Sequence, residues 1–466
     1  MNINDAEIID DILNIYTFRE KAIGRGSFGT VLAAKLRFHG KDFDTNPSTA
    51  YAIKVINMTT PGIDETMLNN EISMLKNCSH PNIINLYEIY TDSERLYLVM
   101  ELCPGGDIDE YLKLNKVVRE DDARQIFYQM LYAVNFLHSS NIAHRDIKPG
   151  NFMFSDESKN TVKLIDFGWS AEYSENDMLS IAGSAYYVAP EIGNNFLNKY
   201  KKKYDNHIDV WSLGVTLYEI LSNKMPFYGK DHSDVFRNIN TKRVQFTDDV
   251  WFKISDDCKE LITLLLVKNP KQRISVAEAM NHKWFYPLQN VLILQKANLI
   301  NKCKVDNLMN FKAYSLFDKE ILRIMVETNY DSPKVVELSN VFWYLDYDND
   351  GYISANEIHA FLKEVGENVT FAKAEQITKD ISYSSLEDTI SHIEFVMATI
   401  SRSFYYNDQN IASVFKRFDV NNTNKIGLND LIQGFIRYGF LPKQINALKK
   451  ELASMKDKTL TLEAFV

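Results

Sequence analysis

The feature that most constrains this chain is a series of short polar motifs occurring in one order between residues 24 and 209. GRGSFGTV at 24–31 lies between two strand-like runs, and its glycines let a backbone turn fold over phosphates without Cβ obstruction. A dinucleotide-binding reading of G-x-G-x-x-G needs a helix directly afterwards, whereas VLAAKL has the pattern of a strand. Lys54, in Ala52-Ile53-Lys54 at the end of the next strand, supplies a point charge for phosphate oxygens. Glu71 in the helical stretch NNEISML would fix that ammonium through an ion pair. HRDIKPGN at 144–151 puts Asp146 where it can accept a hydroxyl proton, and Asn151 follows where a magnesium ion can be held. Asp166 of DFG comes after the strand VKLI and offers the hard oxygen magnesium prefers. SAYYVAPE closes at Glu191, and Asp209 follows in DVWSLG. Each motif alone has an ordinary explanation as a turn or a solvated side chain. Their joint occurrence, in this order, points to phosphoryl transfer.

The surrounding pattern divides in two. From 17 to 102, short β-branched runs are interrupted by one helical stretch near 64–77; from 107 to 285 the apolar spacing is helical. Residues 36–50 exceed a tight turn and read as an exposed loop insertion. Ile8, Ile9, Ile12, Leu13 and Tyr16 are spaced as one face of a short helix docked on the domain that follows. At the quoted motifs the chain resembles the eukaryotic protein kinases over about 17–285. That resemblance implies a bilobal α+β fold with MgATP between the lobes. It implies that Gly24, Gly26 and Gly29 cover the phosphates, that Val31 and Glu101 also line the nucleotide site, and that Lys54 and Glu71 are the activating pair. Asp146 would be the catalytic base, Lys148 a contact to the transferring phosphate, and Asn151 and Asp166 the magnesium ligands. Arg273 matches a buried partner for Glu191, and Leu75, Leu86, His144 and Phe167 match a stack that aligns the lobes. Lys148 within HRDxKPxN, and Ser184, imply serine/threonine rather than tyrosine substrates. Gly150 and Asp107 stand where kinases of basic substrates carry glutamate, while Glu219 is retained, so a basic preference is weakened.

The C-terminal third carries a different signal. Asp346, Asp348, Asp350, Gly351, Tyr352, Ser354 and Glu357 occupy positions 1, 3, 5, 6, 7, 9 and 12 of a calcium-binding EF-hand loop. The glycine permits the sharp turn, the Tyr352 carbonyl is a ligand, and Glu357 closes the site with two oxygens. Hydrophobic eighth positions recur at Ile353, Ile390, Ile426 and Leu460, a spacing that fits four helix–loop–helix repeats. Asp419, Asn421, Thr423, Lys425 (through its carbonyl) and Asp430 form a second, poorer candidate, with Asn424 in place of the glycine. The loops starting at Tyr383 and Ala453 lack the anchoring carboxylates, Glu394 excepted, and read as structural partners. A kinase, a junction and four EF-hands resemble the calcium-dependent protein kinases of plants and apicomplexan parasites. The resemblance implies that the junction inhibits the kinase and that calcium relieves it. The apolar face Leu308, Phe311, Tyr314, Phe317, Ile321 and Met325 suits a helix that a calcium-exposed groove can grip.

The expected organisation is an N-terminal extension at 1–16, a kinase domain at 17–285, a junction at 286–333 and an all-α EF-hand domain at 334–466. The expected cofactors are ATP, Mg2+ and Ca2+, and the partners are proteins phosphorylated on Ser or Thr. A net charge of −10 argues against general nucleic-acid binding. Four scattered cysteines argue against a disulfide framework or zinc site and suit a reducing cytoplasm. No apolar run spans a membrane and Asn2 stands where myristoylation needs glycine, so no intrinsic anchor is expected. A monomer is expected. Two alternatives stay open: a constitutive kinase with a docking EF-hand module, and a calcium-binding scaffold with vestigial kinase activity.

Overall fold

The computed structural model describes residues 7–8, 12–26, 29–36, 50–60, 65–78, 80–115, 117–172, 185–198, 204–288, 305–311, 315–328, 332–348, 350–382, 388–401, 408–419, 423–437, 442–452 and 459–461. Ser184 with the segment around it, Tyr314, Tyr383 at the start of the second loop, Asn421, and most of the insertion at 36–50 and of the fourth loop lie outside them.

The N-terminal lobe is a six-stranded sheet in the order β1-β5-β6-β4-β3-β2. Its strands are β1 (Glu7–Ile8), β2 (Tyr16–Gly26), β3 (Gly29–Leu36), β4 (Ala50–Asn57), β5 (Leu86–Thr91) and β6 (Arg95–Glu101). Helix α1 (Glu65–Asn77) packs its Leu68, Ile72 and Leu75 into the same core as Ile56 and Leu98. Register decides where the chemistry falls, because Lys54 on β4 sits opposite Val31 on β3 and Leu98 on β6.

The α-helix expected within 1–16 is absent from the described residues of that segment. Glu7 and Ile8 instead add β1 to the sheet, parallel to Tyr90 and Thr91 of β5, and Ile12–Asn14 is a single 3-10 turn. So short a helix is marginal in water, whereas the sheet edge offers hydrogen bonds. Ile12 and Tyr16 still turn inward, onto Tyr51, Tyr87, Tyr90 and Val99.

The second lobe is helical. Helix α2 (Ile108–Leu114) is capped by the Asp107 side chain, which accepts from the Glu110 N–H at 2.7 Å. Helix α3 (Glu120–Ser139) carries Glu120, Asp121 and Asp122 at its positive end and buries apolar residues along its length. The hairpin Phe152–Phe154 with Val162–Leu164 and the helix His207–Ser222 pack around it.

The remaining helices form a separate core. Leu308, Phe311, Phe317, Ile321 and Met325 are all buried in it alongside the EF-hand residues Phe342, Phe361, Phe395 and Phe418. The apolar segment is not one helix but two, Val305–Asn310 and Leu316–Thr328. The Ser315 hydroxyl accepts from the Asp318 N–H at 3.0 Å and so caps a new helix. Helix pairs flank the first loop (Pro333–Leu345 and Ala355–Glu364), the second (Phe371–Ile381 and His392–Thr399) and the third (Asp408–Phe418 and Leu428–Arg437). The eighth positions pair across loops, Ile353 with Ile390 and Ile426 with Leu460. Among the described residues no helix is long and apolar enough to cross a membrane.

Candidate functional site

Between the lobes the polar residues converge. Lys54 Nζ and Glu71 Oε1 are 2.5 Å apart and both side chains are buried. At Gly29 an added Cβ would lie 2.2 Å from the Val55 carbonyl oxygen, so β3 can cross β4 this closely only without a side chain. Gly24 stands opposite Val31 on the facing strands, and Gly26 ends β2 opposite Gly29. Glu101 closes β6; its carboxylate accepts from Lys163 Nζ at 2.8 Å and from the Asn85 amide at 3.0 Å. That side chain is therefore committed to a buried ion pair.

On the other side of the cleft, Asp146 Oδ2 accepts from Lys148 Nζ at 2.5 Å and from the Asn151 amide at 3.0 Å. The same Asn151 nitrogen donates to the Asp146 carbonyl at 2.7 Å, which leaves the Asn151 amide oxygen turned away from Asp146. Asp166 Oδ1 accepts from the Gly168 N–H at 3.0 Å, and this fixes the turn after DFG. An amide oxygen and a carboxylate are hard donors suited to magnesium.

The start of the 144–151 segment is held by Asp209. Its Oδ2 accepts from the His144 N–H at 2.8 Å and lies 2.9 Å from His138 Nε2; its Oδ1 accepts from the Arg145 N–H at 2.8 Å. Burial alone would raise the Asp209 carboxyl, but His138, His144 and the Arg145 N–H hold it below its ordinary value. Arg145 itself is left-handed, at φ 72°, a conformation maintained by that bond. Glu191 and Arg273 form the expected pair, bidentate at 2.9 and 3.0 Å. Phe167 is buried against the His144 ring, with centroids 5.3 Å apart, and Leu75 and Leu86 join the same core. Glu219 accepts from the Tyr187 hydroxyl at 2.6 Å, and burial pushes its carboxyl up to about 7.

In the first EF-hand loop, Asp346, Asp348 and Asp350 each bring a carboxylate oxygen within 4.8 Å of the others. Gly351 has φ 87°, as the sharp turn requires. Ser354 and Glu357 form a capping box, and Glu357 Oε1 accepts from the Tyr347 N–H at 3.0 Å. Asp346 is fully buried and its Oδ1 has no hydrogen-bond partner. Burial, Asp350 and Glu357 push its carboxyl up to about 8, against the Tyr132 hydroxyl and the Gly351 N–H. An orphaned oxygen among like charges is what a divalent cation would satisfy. In the third loop Asp419 accepts from the Thr423 and Asn424 N–H groups, Asn424 adopts φ 56°, and Asp430 Oδ2 accepts from the Gly427 N–H at 2.7 Å. Thr423 Oγ donates to the Lys425 carbonyl at 2.8 Å, which turns that carbonyl inward onto a side chain of its own loop. In the second, Glu394 caps its helix through Ser391.

Sequence reasoning gave no hint of the contacts between the two units. Tyr132 of α3 donates to Asp346, and Arg417 ends up at Glu88 of β5, 3.5 Å away and almost fully buried. Glu88 also accepts from the Tyr16 and Tyr90 hydroxyls, and the Arg417 guanidinium lies over the Tyr51 ring. These pairs lie far apart in sequence and carry no motif.

A family model described as a protein kinase domain matches residues 17–285, and one described as an EF-hand domain pair matches 321–364. "Calcium-dependent protein kinase 5" of Plasmodium falciparum is 30% identical over 463 residues, 98% of this chain and 78% of that protein. The protein of the same name from Plasmodium berghei is 32% identical over 437 residues, 91% of this chain and 72% of the relative. "Calcium-dependent protein kinase 33" of Arabidopsis thaliana is 30% identical over 433 residues, with 92% and 79% covered. The kinase match over more than half the chain, and relatives aligned along most of their own length, show that the chain belongs to the calcium-dependent protein kinases, serine/threonine kinases that carry EF-hands in the same polypeptide.

Proposed function

We propose that Asp146 is the base that accepts the proton of a substrate Ser or Thr hydroxyl and aims that oxygen in line with the γ-phosphate. MgATP, when bound between the lobes, supplies the phosphoryl group and the metal charge that offsets its developing negative charge. Lys148 contacts the transferring phosphate, Asn151 and Asp166 hold magnesium, and Lys54, fixed by Glu71, meets the phosphates under Gly24, Gly26 and Gly29. Val31 and the Glu101 backbone line the base. The observation that carries this reading is the Asp146–Lys148–Asn151 cluster opposite a closed Lys54–Glu71 pair.

Regulation rests on 346–357. Asp346, Asp348, Asp350, the Tyr352 carbonyl and Glu357 hold calcium; Asp419, Asn421, Thr423, the Lys425 carbonyl and Asp430 are a weaker second site. The junction, taken as 286–333, restrains the kinase without calcium, and calcium moves that equilibrium by its unequal affinity for the two states. Burial of Leu308, Phe317 and Ile321 among EF-hand residues supports a junction gripped by the module. A monomer working in the cytoplasm suits three buried free thiols, Cys78, Cys103 and Cys258. The test is phosphate transfer from MgATP to a Ser/Thr peptide by Asp146→Ala. A loss of about 100-fold or more, with the melting profile of the parent, is expected; retained turnover sinks the assignment.

A further inference from the structure

The first EF-hand loop is in contact with the kinase domain. Asp346 is buried in part by α3, whose Tyr132 hydroxyl donates to Asp346 Oδ2 at 2.7 Å. The Gly351 N–H donates to that same oxygen at 3.0 Å, while Oδ1 has no hydrogen-bond partner. The Tyr132 ring is itself held between His80, at 4.5 Å, and Trp343 of the EF-hand helix, at 5.4 Å. Beside it, Phe136 packs on Tyr352 at 5.6 Å, and a Cβ at Gly351 would come within 2.3 Å of Phe136 Cδ2. Loop and helix are one packed unit.

Two opposite consequences are conceivable: the hydroxyl competes with an ion for Asp346, or it orients Asp346 toward one. The division of labour between the two oxygens decides. Both donors are on Oδ2, so the ligand oxygen is not the one that Tyr132 occupies. Oδ1 is left buried without a hydrogen-bond partner, in a loop where Asp346, Asp348 and Asp350 each bring a carboxylate oxygen within 4.8 Å of the others, and an unpaired buried acceptor is costly. A cation at Oδ1 removes that cost and leaves the Tyr132 bond intact.

Resting on the assignment of 346–357 as a calcium site, we propose that Tyr132 is a positioning residue of that site, donated by the kinase domain, so that calcium binds more tightly when the loop is docked on α3. Partners that orient a metal ligand contribute about 10-fold or more to affinity. By linkage, calcium fastens the module to α3 by the factor that docking adds to calcium affinity.

The test is calorimetric calcium titration of the full chain, comparing the parent, Tyr132→Phe and Glu357→Gln. Tyr132→Phe keeps the ring and removes only the hydroxyl. The expected result is about 10-fold weaker calcium binding at the site that Glu357→Gln abolishes. Equal or tighter binding by Tyr132→Phe overturns the proposal. A titration that Glu357→Gln leaves unchanged overturns the calcium assignment of the loop instead. A second measurement needs no variant: amide hydrogen exchange of the parent with and without calcium. Protection of α3 around 132–139 should rise with calcium, and unchanged or reduced protection contradicts the coupling.

Discussion

Replacing Glu320 by glutamine should stabilise the C-terminal module by an amount that grows with pH. Glu320 lies in the helix Leu316–Thr328, is fully buried, and neither of its carboxylate oxygens has a hydrogen-bond partner. Burial pushes its carboxyl from 4.5 up to about 8; Arg323 and Lys319 oppose the shift while Glu327 and Glu394 add to it. Below about pH 4.5 the carboxyl is protonated in both the folded and the unfolded chain, so it favours neither. From there to about pH 8 the unfolded chain has released a proton that the folded chain keeps. Stability then falls by about 1.4 kcal/mol per pH unit, and it levels off above about pH 8. At pH 7 the accumulated penalty is about 3 kcal/mol. Glutamine leaves a similar unpaired polar group in place but cannot ionise, so the slope disappears. Scanning calorimetry of the full chain in chelator from pH 5 to 8, following the transition of the module, measures both curves. The variant should melt close to the parent at pH 5 and clearly above it at pH 8. Curves that run parallel across this range would refute the assignment of a protonated, buried Glu320.

Three other outcomes follow from particular contacts. Asp209→Asn keeps one acceptor oxygen where two backbone N–H groups are now satisfied, so a buried donor is left unpaired at about 1–3 kcal/mol. Both melting temperature and kcat should fall, and a fall in neither would show that Asp209 does not support the catalytic loop. Arg417→Ala leaves Glu88 buried with only tyrosine hydroxyls, a loss of about 3 kcal/mol. Hydrogen exchange in Leu86–Thr91 should accelerate, and unchanged exchange contradicts the docking of the third EF-hand on the N-terminal lobe. Gly351→Ala adds a Cβ within 2.3 Å of Phe136 at a positive φ; calcium affinity should fall and α3 should exchange faster.

Where the chemistry dictates both residue type and order, the sequence was readable. The order and spacing of Lys54, Glu71, Asp146 and Asn151 suggested which side chains would pair, and in the folded chain Lys54 meets Glu71 while Asn151 meets Asp146. The eighth loop positions were legible for a similar reason: Ile353 and Ile390, then Ile426 and Leu460, meet in short strand pairs. Five apolar residues in 1–16 misled, because helical spacing over so short a stretch says little once a sheet edge is available. The apolar face of 308–326 named the buried residues but not the break, which depends on the Ser315 cap. Tyr132 and Arg417 were invisible. One is an ordinary core-facing tyrosine and the other an ordinary basic residue near a helix end, and only docking gives either a partner.

Calcium dependence through the first loop is tested by phosphate transfer from MgATP to a Ser/Thr peptide while free calcium is raised from chelated to micromolar levels. The parent chain and Glu357→Gln should be titrated side by side. Steep activation of the parent is expected, with a lost or strongly right-shifted response in Glu357→Gln. Equal activity of the parent at every calcium level, or the same activation curve for both chains, would contradict it.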